Sequence, residues 1–267
     1  MSRIKQTFTE LKQAGRKALV PFITAGDPDL ETTVAIVRVL ERAGADLIEL
    51  GIPFSDPMAD GPTIQASSER SLRQGTTLVG VLDVVRQIRR ESDVPLVLMG
   101  YYNPVLRYGN ELFAKDAAAA GVDGLLIVDL PPEEADELQR YLRPAAIDLI
   151  TLLAPTTPPE RKARLASSAE GYIYYVSMTG VTGTQAVNAD SIEAEVRELM
   201  VTSPVPVAVG FGIATPADAS NIARFADAVV VGSALVKVIE SAPEAVRLRQ
   251  VESFVRSLRD AIDHRPE

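Results

Sequence analysis

The sequence predicts an α/β protein built as a single (β/α)8 barrel, and three observations support this prediction. Eight short, nearly continuous apolar runs recur along the 267 residues, segments with a helical apolar period lie between them, and glycines mark several junctions. Such runs are typical of parallel strands that are buried on both faces. Strands that alternate with helices indicate βα units with right-handed crossovers, and eight such units close a barrel. A doubly wound sheet is the alternative, but no G-x-G-x-x-G follows the first run.

The predicted elements follow one another in a regular order. Ile4, Phe8 and Leu11 repeat at helical spacing and predict an extra N-terminal helix over residues 2–14. The eight predicted strands cover residues 18–23, 46–50, 94–99, 124–128, 147–153, 171–176, 205–209 and 227–231. Helices with one apolar face are predicted over residues 78–88, 135–142 and 248–262, and a short extra helix over 235–240 after strand 8. Because the sequence shows no linker, residues 1–267 are interpreted as one barrel domain.

Two of the predicted strand-to-helix links are unusually long. Residues 51–75 follow strand 2 and residues 177–188 follow strand 6, whereas most other links are short. Long links within a compact domain are usually functional. In a barrel they rise from the C-terminal ends of the strands, where barrel enzymes carry their active sites. The spacing therefore predicts that function resides in these two links.

Composition excludes several classes of chemistry. The chain has no cysteine, its one histidine is His264, and its net charge is −9. Thiolate catalysis and metal sites built from cysteine or histidine are therefore not expected, and proton transfer falls to Asp, Glu, Tyr or Lys. The charge disfavours nucleic acids and anionic membranes as partners. Because no apolar run reaches about 18 residues and no signal peptide is recognisable, a cytoplasmic protein is expected, or a plastid-stroma protein if the source is a plant or alga.

Two carboxylates stand at the end of strand 2 and in the link that follows it. Glu49 interrupts an otherwise apolar strand, where burial is expected to raise its pKa and suit it to act as a general acid. Asp60 lies in the link, where water and backbone donors are expected to keep it ionised. Carboxyl groups held in different protonation states can divide acid and base roles. The alternative is structural: an acid at a strand end is more often salt-bridged or capping, and Asp56 fits a turn.

Three glycine-rich points end three late strands and indicate a phosphate site. They are residues 180–183 (G-V-T-G), 210–212 (G-F-G) and 232–233 (G-S). Glycines let backbone N–H groups approach an anion, and the helix predicted over 235–240 adds the favourable field of its N-terminus. Because no Lys or Arg lies within these motifs, binding would use neutral donors. The alternative is that each glycine merely turns the chain, and many phosphate-binding barrels share this layout.

Aromatic residues near the predicted C-terminal ends of four strands suit a flat ring. They are Phe22, Tyr101, Tyr174 and Phe211. An aromatic wall favours a planar apolar ligand, although core packing explains any one of these residues equally well. A Schiff-base aldolase would need a lysine at the C-terminal end of a strand, and none of the six lysines lies there. A metal aldolase would need clustered histidines, which the chain lacks.

Residues 49–65, E-L-G-I-P-F-S-D-P-M-A-D-G-P-T-I-Q, resemble the alpha subunit family of tryptophan synthase. Further matching stretches lie at residues 22–28 (F-I-T-A-G-D-P), 101–104 (Y-Y-N-P), 129–133 (D-L-P-P-E) and 232–233 (G-S), so the resemblance spans nearly the whole chain. It implies a TIM barrel enzyme of tryptophan biosynthesis, a lyase that splits indole-3-glycerol phosphate into indole and glyceraldehyde 3-phosphate. Thr184 and Gln185 depart from the Ala-Arg that many family members carry after the glycine of the phosphate loop.

The resemblance also implies residue roles. Glu49 is the general acid/base that protonates C3 of the indole ring and then takes the proton of the glycerol hydroxyl, Asp60 pairs with the indole N–H, and Tyr174 assists Glu49. The other implied sites are the indole pocket (Phe22, Tyr101, Tyr174 and Phe211), the phosphate site (Gly183, Gly212, Gly232 and Ser233), loop closure (Thr182) and communication with the partner (Asp56). No metal ligand is implied.

By the same resemblance, the chain works with a β subunit in an αββα complex, through which indole passes. The pyridoxal phosphate cofactor belongs to that partner, and this chain holds none. Three alternatives stay open: a stand-alone indole-releasing lyase, a non-catalytic barrel subunit that binds a phosphate ligand, and another phosphate-binding barrel enzyme such as an isomerase of the same pathway. The presence of both Glu49 and Asp60 disfavours the last two.

Overall fold

Eight parallel strands close into a barrel in the computed structural model, which describes residues 2–176, 189–210 and 212–264. Each strand pairs in parallel with the next, and the first pairs with the last to complete the ring. The strands are β1 Ala18–Thr24, β2 Ile48–Gly51, β3 Leu96–Gly100, β4 Gly124–Ile127, β5 Asp148–Leu153, β6 Glu170–Val176, β7 Val207–Gly210 and β8 Ala228–Val231. The predicted fold class is confirmed, and each predicted strand end lies within two residues of the observed one.

Helices surround the barrel and cap one of its ends. They are α1 Arg3–Gln13, α2 Leu30–Arg42, α3 Pro62–Arg73, α4 Leu78–Ile88, α5 Tyr102–Tyr108, α6 Asn110–Ala120, α7 Asp136–Leu142, α8 Pro159–Ser167, α9 Ala189–Thr202, α10 Pro216–Ala223, α11 Ser233–Ser241 and α12 Glu244–Asp263, with a 3₁₀ turn at Pro132–Glu134. The extra N-terminal helix is confirmed as α1, and the extra helix after β8 as α11. Across the described ranges, no helix is long and apolar enough to cross a membrane.

The long link predicted over residues 51–75 contains a helix that the apolar pattern did not predict. α3 begins at Pro62, with Gly61 as its N-cap. Three of its four buried residues are serines (Ser67, Ser68 and Ser71, beside Ile64), so the helix has no apolar stripe that periodicity could reveal. The predicted buried face of α12 is also partly wrong, because Leu248 is 37% exposed. The second long link, residues 177–188, lies outside the described residues.

Apolar side chains fill the barrel, and α1 closes its N-terminal end. Ile4, Phe8 and Leu11 pack in one buried cluster with inward-facing residues of the strands. The ring of Phe8 lies with its centroid 6.0 Å from that of Tyr172 in β6. A polar contact also holds α1 in place: Arg3 Nη1 donates to Asp123 Oδ1 at 3.0 Å. The N-terminal half of the barrel is therefore filled with apolar side chains, which leaves its C-terminal half for a site.

Side chains at the N-terminal end tie each of two strands to its predecessor. Asp46, before β2, accepts from the backbone N–H of Leu19 in β1 at 2.8 Å, and Asp123, before β4, accepts from Leu96 in β3 at 2.9 Å. A buried arginine pairs with each acid, since Arg259 contacts Asp46 at 2.9 Å and the Arg89 guanidinium contacts Asp123 at 2.5 Å. These buried polar contacts stabilise the end of the barrel opposite the predicted site.

Candidate active site

Glu49 lies near the C-terminal end of β2, inside the barrel. The strand is short, and all four of its residues are buried. Glu49 stands in register between Phe22 of β1 and Val97 of β3, and none of its surface is exposed. Its Oε1 accepts a hydrogen bond of 2.6 Å from the hydroxyl of Tyr172, whereas Oε2 has no partner within the described part of the chain. One oxygen is thus held and the other is left for a proton or a ligand.

Burial gives Glu49 the protonation behaviour of an acid/base catalyst. Desolvation raises its pKa from 4.5 to about 7, and the hydrogen bond from Tyr172 acts in the opposite direction. The shift is in the direction expected from the sequence, because burial disfavours the charged form. A carboxyl group with this pKa populates both of its forms near neutral pH, which is the requirement for a group that gives and then takes a proton.

Asp60 is less hydrated than the sequence predicts. Desolvation raises its pKa from 3.8 to about 6, against the hydrogen bond that Tyr101 Oη donates to Asp60 Oδ2 at 3.1 Å. Tyr101 Oη also accepts from the backbone N–H of Ala59 at 2.9 Å, and its ring stacks on Phe54 at 5.1 Å. The expectation of a well-hydrated loop acid was wrong, because the carboxylate is partly buried and its Oδ2 contacts the Tyr101 hydroxyl. The pKa of Asp60 nevertheless stays below that of Glu49, so Asp60 is the stronger acid of the two.

A cleft opens at the C-terminal end of the barrel above Glu49. The empty volume of the cleft, which includes space open to solvent, is about 280 Å³. Its described lining consists of Phe22, Thr24, Gly51, Ile52, Asp60, Ile64, Ser68, Met99, Gly100, Tyr101 and Val128. Every second residue of a strand faces the same side, so Glu49 and Gly51 both face the inside of the barrel, and Glu49 lies one inward position deeper. The cleft is mainly apolar with one carboxylate at its edge, a composition that fits a flat ring carrying a polar N–H.

Tyr174 occupies the next inward position of β6 above Tyr172. It is buried, and this burial, together with the negative charges of Glu49 and Asp60, raises its pKa well above the usual value. Its hydroxyl lies against Gly210 at the end of β7, where an added Cβ would come within 2.1 Å of the oxygen. The glycine therefore provides the space that the Tyr174 ring occupies.

The predicted phosphate residues that the structure describes lie at the ends of β7 and β8. Gly232 is the N-cap of α11, and Ser233 is the first residue of that helix. The N-terminal backbone amides of α11 therefore lie next to Phe22, which lines the cleft. Gly212 has a φ of +74°, a conformation that favours glycine. These positions present backbone donors and a helix N-terminus, which suit an anion.

Several predicted residues do not join this group. Thr182, Gly183 and Phe211 lie outside the described residues. Asp56 is exposed and accepts a hydrogen bond of 2.5 Å from the hydroxyl of Ser55. Met58, two residues further on, is 81% exposed. Among the described side chains, no three His, Asp or Glu residues converge as a metal site.

Sequence reasoning missed the two tyrosine contacts that tune the carboxylates. Tyr172 had no predicted role although it shares an inward face with Tyr174, and this period of two was the available signal. Tyr101 was predicted as a pocket wall, yet its hydroxyl also binds Asp60. That contact crosses from the end of β3 to the link after β2, so no local pattern could reveal it.

Comparisons with known proteins agree on one family. A family profile described as tryptophan synthase alpha chain matches residues 8–263. The tryptophan synthase alpha chain of Citrifermentans bemidjiense is 56% identical over 262 residues, which cover 98% of each chain. The solved structure of tryptophan synthase subunit alpha from Legionella pneumophila str. Paris has a TM-score of 0.91 at 44% identity, covering 98% of this chain and 99% of that one. A chain of tryptophan synthase from M. tuberculosis, in an aminoacrylate-bound form, has a TM-score of 0.88 at 35% identity, covering 98% of this chain and 100% of that one.

Proposed function

The chain belongs to the tryptophan synthase alpha chain family, and on that premise we propose that Glu49 and Asp60 carry out its reaction in the cleft. The family reaction is the cleavage of indole-3-glycerol phosphate, and this chain is a lyase of that class. One observation carries the assignment of residues: a fully buried carboxyl group with a pKa of about 7 lies one position below the cleft.

Glu49 acts first as an acid and then as a base. Its protonated form gives the proton to C3 of the indole ring, which leaves positive charge on the ring nitrogen. The resulting carboxylate takes the proton of the glycerol hydroxyl next to that carbon. The carbon–carbon bond then breaks, its electron pair returns to the ring, and indole and the aldehyde separate. Glu49 ends protonated, as it began, so the cycle needs no other proton donor.

Asp60 stabilises the charge that develops on the ring nitrogen. Its carboxylate is mostly ionised at neutral pH, and the Tyr101 hydroxyl at 3.1 Å orients it. In a site with little water, a fixed negative charge of this kind favours a cationic ring more strongly than it would in solvent. Phe22, Tyr101, Tyr174 and Phe211 form the walls around the ring.

The phosphate group binds at the C-terminal ends of β7 and β8. Gly212, Gly232 and Ser233 contribute backbone or hydroxyl donors there, and Gly183 completes the set with Thr182 in the loop that closes over the substrate. The N-terminus of α11 supports this assignment, because its unpaired amides and its dipole both favour an anion.

The partner is a tryptophan synthase β subunit in an αββα complex, and pyridoxal phosphate is held by that subunit. The described cleft lining contains no lysine that could hold the cofactor as a Schiff base. The M. tuberculosis relative is a tryptophan synthase whose structure is described as aminoacrylate-bound, which supports the partnership. Asp56 and the exposed Met58 lie on the surface that we assign to this contact. The bacterial relatives support a cytoplasmic location. The closed ring of eight strands supports our interpretation of residues 1–267 as one barrel domain.

Indole release from indole-3-glycerol phosphate tests the proposal. The chain alone, the chain with a β subunit, and the Glu49→Gln variant are compared, with Glu170→Gln as a matched control at the opposite end of the barrel. We expect indole from the wild type, a higher rate with the β subunit, and no indole from Glu49→Gln. Full activity without any response to the β subunit would indicate a stand-alone lyase. Absence of indole from the wild type under all conditions would refute the proposal in favour of a non-catalytic barrel.

A further inference from the structure

Arg70, on α3, joins three elements around the cleft. Its Nε and Nη2 donate to the two carboxylate oxygens of Asp27 at 2.8 Å each, and its Nη1 donates to Glu240 Oε1 at 2.7 Å. Asp27 lies in the turn after β1 with a side chain only 5% exposed, and Glu240 lies in the last turn of α11. A forked pairing fixes both distance and angle between its partners, which a lysine cannot do.

Buried hydrogen bonds extend this connection along α3. The hydroxyls of Ser67 and Thr24 are 2.7 Å apart, and Ser71 donates to the backbone carbonyl of Ala25 at 2.5 Å. All three side chains are buried. An apolar interface tolerates small shifts, whereas a row of buried hydrogen bonds does not, because every displaced group would be left unpaired. We call this row, together with the pair that Arg70 forms, the α3 seam.

The α3 seam holds the helix that borders the cleft. α3 begins at Pro62, two residues after Asp60, and Ile64 and Ser68 from its first turns line the cleft. Along the helix axis, Arg70 lies about 12 Å from Pro62, the first residue of α3. The side-chain amide of Gln65, in the first turns of α3, donates to the backbone carbonyl of Asp60 at 2.7 Å, so a shift of the helix at Arg70 is passed on to Asp60.

We propose that Arg70 is a positioning residue for the lyase reaction: through the α3 seam it sets where Asp60 stands relative to the ring nitrogen of the substrate. This rests on the charge-stabilising role proposed above for Asp60.

The Arg70→Lys variant tests the proposal, because it keeps the positive charge and removes the fork. We expect kcat for indole release to fall about tenfold or more, with a smaller change in KM, since small misplacements of a reacting group are costly. The matched control is Arg89→Lys, which disrupts a buried pair with Asp123 at the opposite end of the barrel. Both are assayed with a β subunit at a temperature where circular dichroism shows them folded. Wild-type kcat in Arg70→Lys, or an equal loss in Arg89→Lys, would overturn the proposal.

The Asp60→Asn background separates positioning from a general effect. With no carboxylate left to position, adding Arg70→Lys is expected to change kcat by less than about twofold, whereas independent effects would multiply. A multiplied loss would therefore overturn the proposal. If Asp60→Asn alone kept wild-type kcat, the proposed role of Asp60 would itself have failed. If Asp60→Asn lost activity while Arg70→Lys did not, only the positioning role would have failed.

If Arg70→Lys does not fold, the Asp27→Asn variant tests the same forked pair by changing its acidic partner. The amide keeps the size of the side chain and one acceptor for Arg70, so the variant preserves most of the packing. We expect the same fall in kcat, again without a comparable change in KM. Wild-type kcat in Asp27→Asn would overturn the proposal.

Discussion

Two opposing effects set the pKa of Glu49. Removal from water raises it, and the hydrogen bond from Tyr172 lowers it. The balance leaves a carboxyl group that is half ionised near pH 7. The folded protein therefore binds a proton at Glu49 over a pH range in which the unfolded chain, with an ordinary glutamate, does not.

The free energy of unfolding should record this difference. Because the folded pKa is raised, the stabilising contribution is complete below about pH 4.5 and is lost as pH rises to about 7. Glu49→Gln removes the titration, so its stability relative to wild type should increase across that window by roughly 3 kcal/mol and then level off. Urea unfolding at a series of pH values measures it. A difference that is independent of pH would contradict the raised pKa.

Tyr172 should control the pH at which the enzyme works. Tyr172→Phe removes the hydrogen bond that lowers the pKa of Glu49, so the profile of kcat against pH should shift to higher pH and its maximum should fall about tenfold. Tyr175→Phe is the matched control, because Tyr175 is in the same strand but bonds to Glu195 instead. Rates of indole release between pH 5.5 and 9 would show the shift. Identical profiles for the two variants would exclude this role for Tyr172.

At the level of residues, the sequence predicted environment better than contact. That Glu49 is buried followed from its apolar strand, and the direction of its pKa followed from burial. Tyr172 and Tyr174 share a face of β6, so periodicity cannot tell which hydroxyl reaches Glu49. The position of each tyrosine along the barrel axis determines this, and the structure shows that the hydroxyl of Tyr172 binds Glu49. The environment of Asp60 depends on Tyr101 from the next strand, and such distant cover leaves no trace in local sequence.

Among the elements, α3 shows why the strands were easier to predict than one of the helices. Apolar runs of the strands are buried on both faces and stand out at once. α3 buries serines, because its neighbour at the end of β1 offers hydroxyl and carbonyl partners rather than an apolar surface. Only Gly61 and Pro62, at the N-cap and first helical positions, marked its start.

Asp123 should contribute strongly to the stability of the fold but not to catalysis. Asp123→Ala leaves Arg89 without its buried partner and the N–H of Leu96 unpaired, which should lower the free energy of unfolding by about 3–5 kcal/mol. Asp93→Ala is the control: its side chain is 93% exposed, and its removal should cost less than about 0.5 kcal/mol. Urea unfolding measures both. The kcat of the folded fraction should be unchanged, because the apolar packing of Ile4, Phe8 and Leu11 still holds α1 against the barrel. A lower kcat in Asp123→Ala would contradict this and would show that the contact between Arg3 and Asp123 also acts on the site.

In the whole molecule, stability and chemistry occupy opposite ends of one barrel. Charged pairs and α1 close the N-terminal end, and the cleft opens at the C-terminal end. Glu49 and Tyr172 lie between them, so the packing of α1 reaches the carboxyl group through one ring. The (β/α)8 class was predictable because every βα unit repeats the same pattern, whereas this vertical contact joins α1 to β6 across distant parts of the chain.

Phe8 should therefore affect activity as well as stability. Phe8→Ala removes the ring packed beside Tyr172 and should lower the free energy of unfolding by about 3–5 kcal/mol. Phe113→Ala, in the outer apolar layer, should cost a similar amount. Only Phe8→Ala should also lower kcat, because Tyr172 is then free to move away from Glu49. Thermal melts and indole release on the same samples decide it; equal kcat values for the two variants would disprove the link.

The closure of the barrel by α1 also has a consequence for how the chain is made. α1 packs against Tyr172 and bonds to Asp123, and the ribosome synthesises both of these much later than α1 itself. The apolar face of α1 cannot be fully buried until β6 has emerged, so part of it stays available to chaperones or to other nascent chains during much of translation. The contacts that help to exclude water from the Glu49 carboxyl group in the folded protein are therefore missing while the chain is being made, and the residues that form them are exposed during that time.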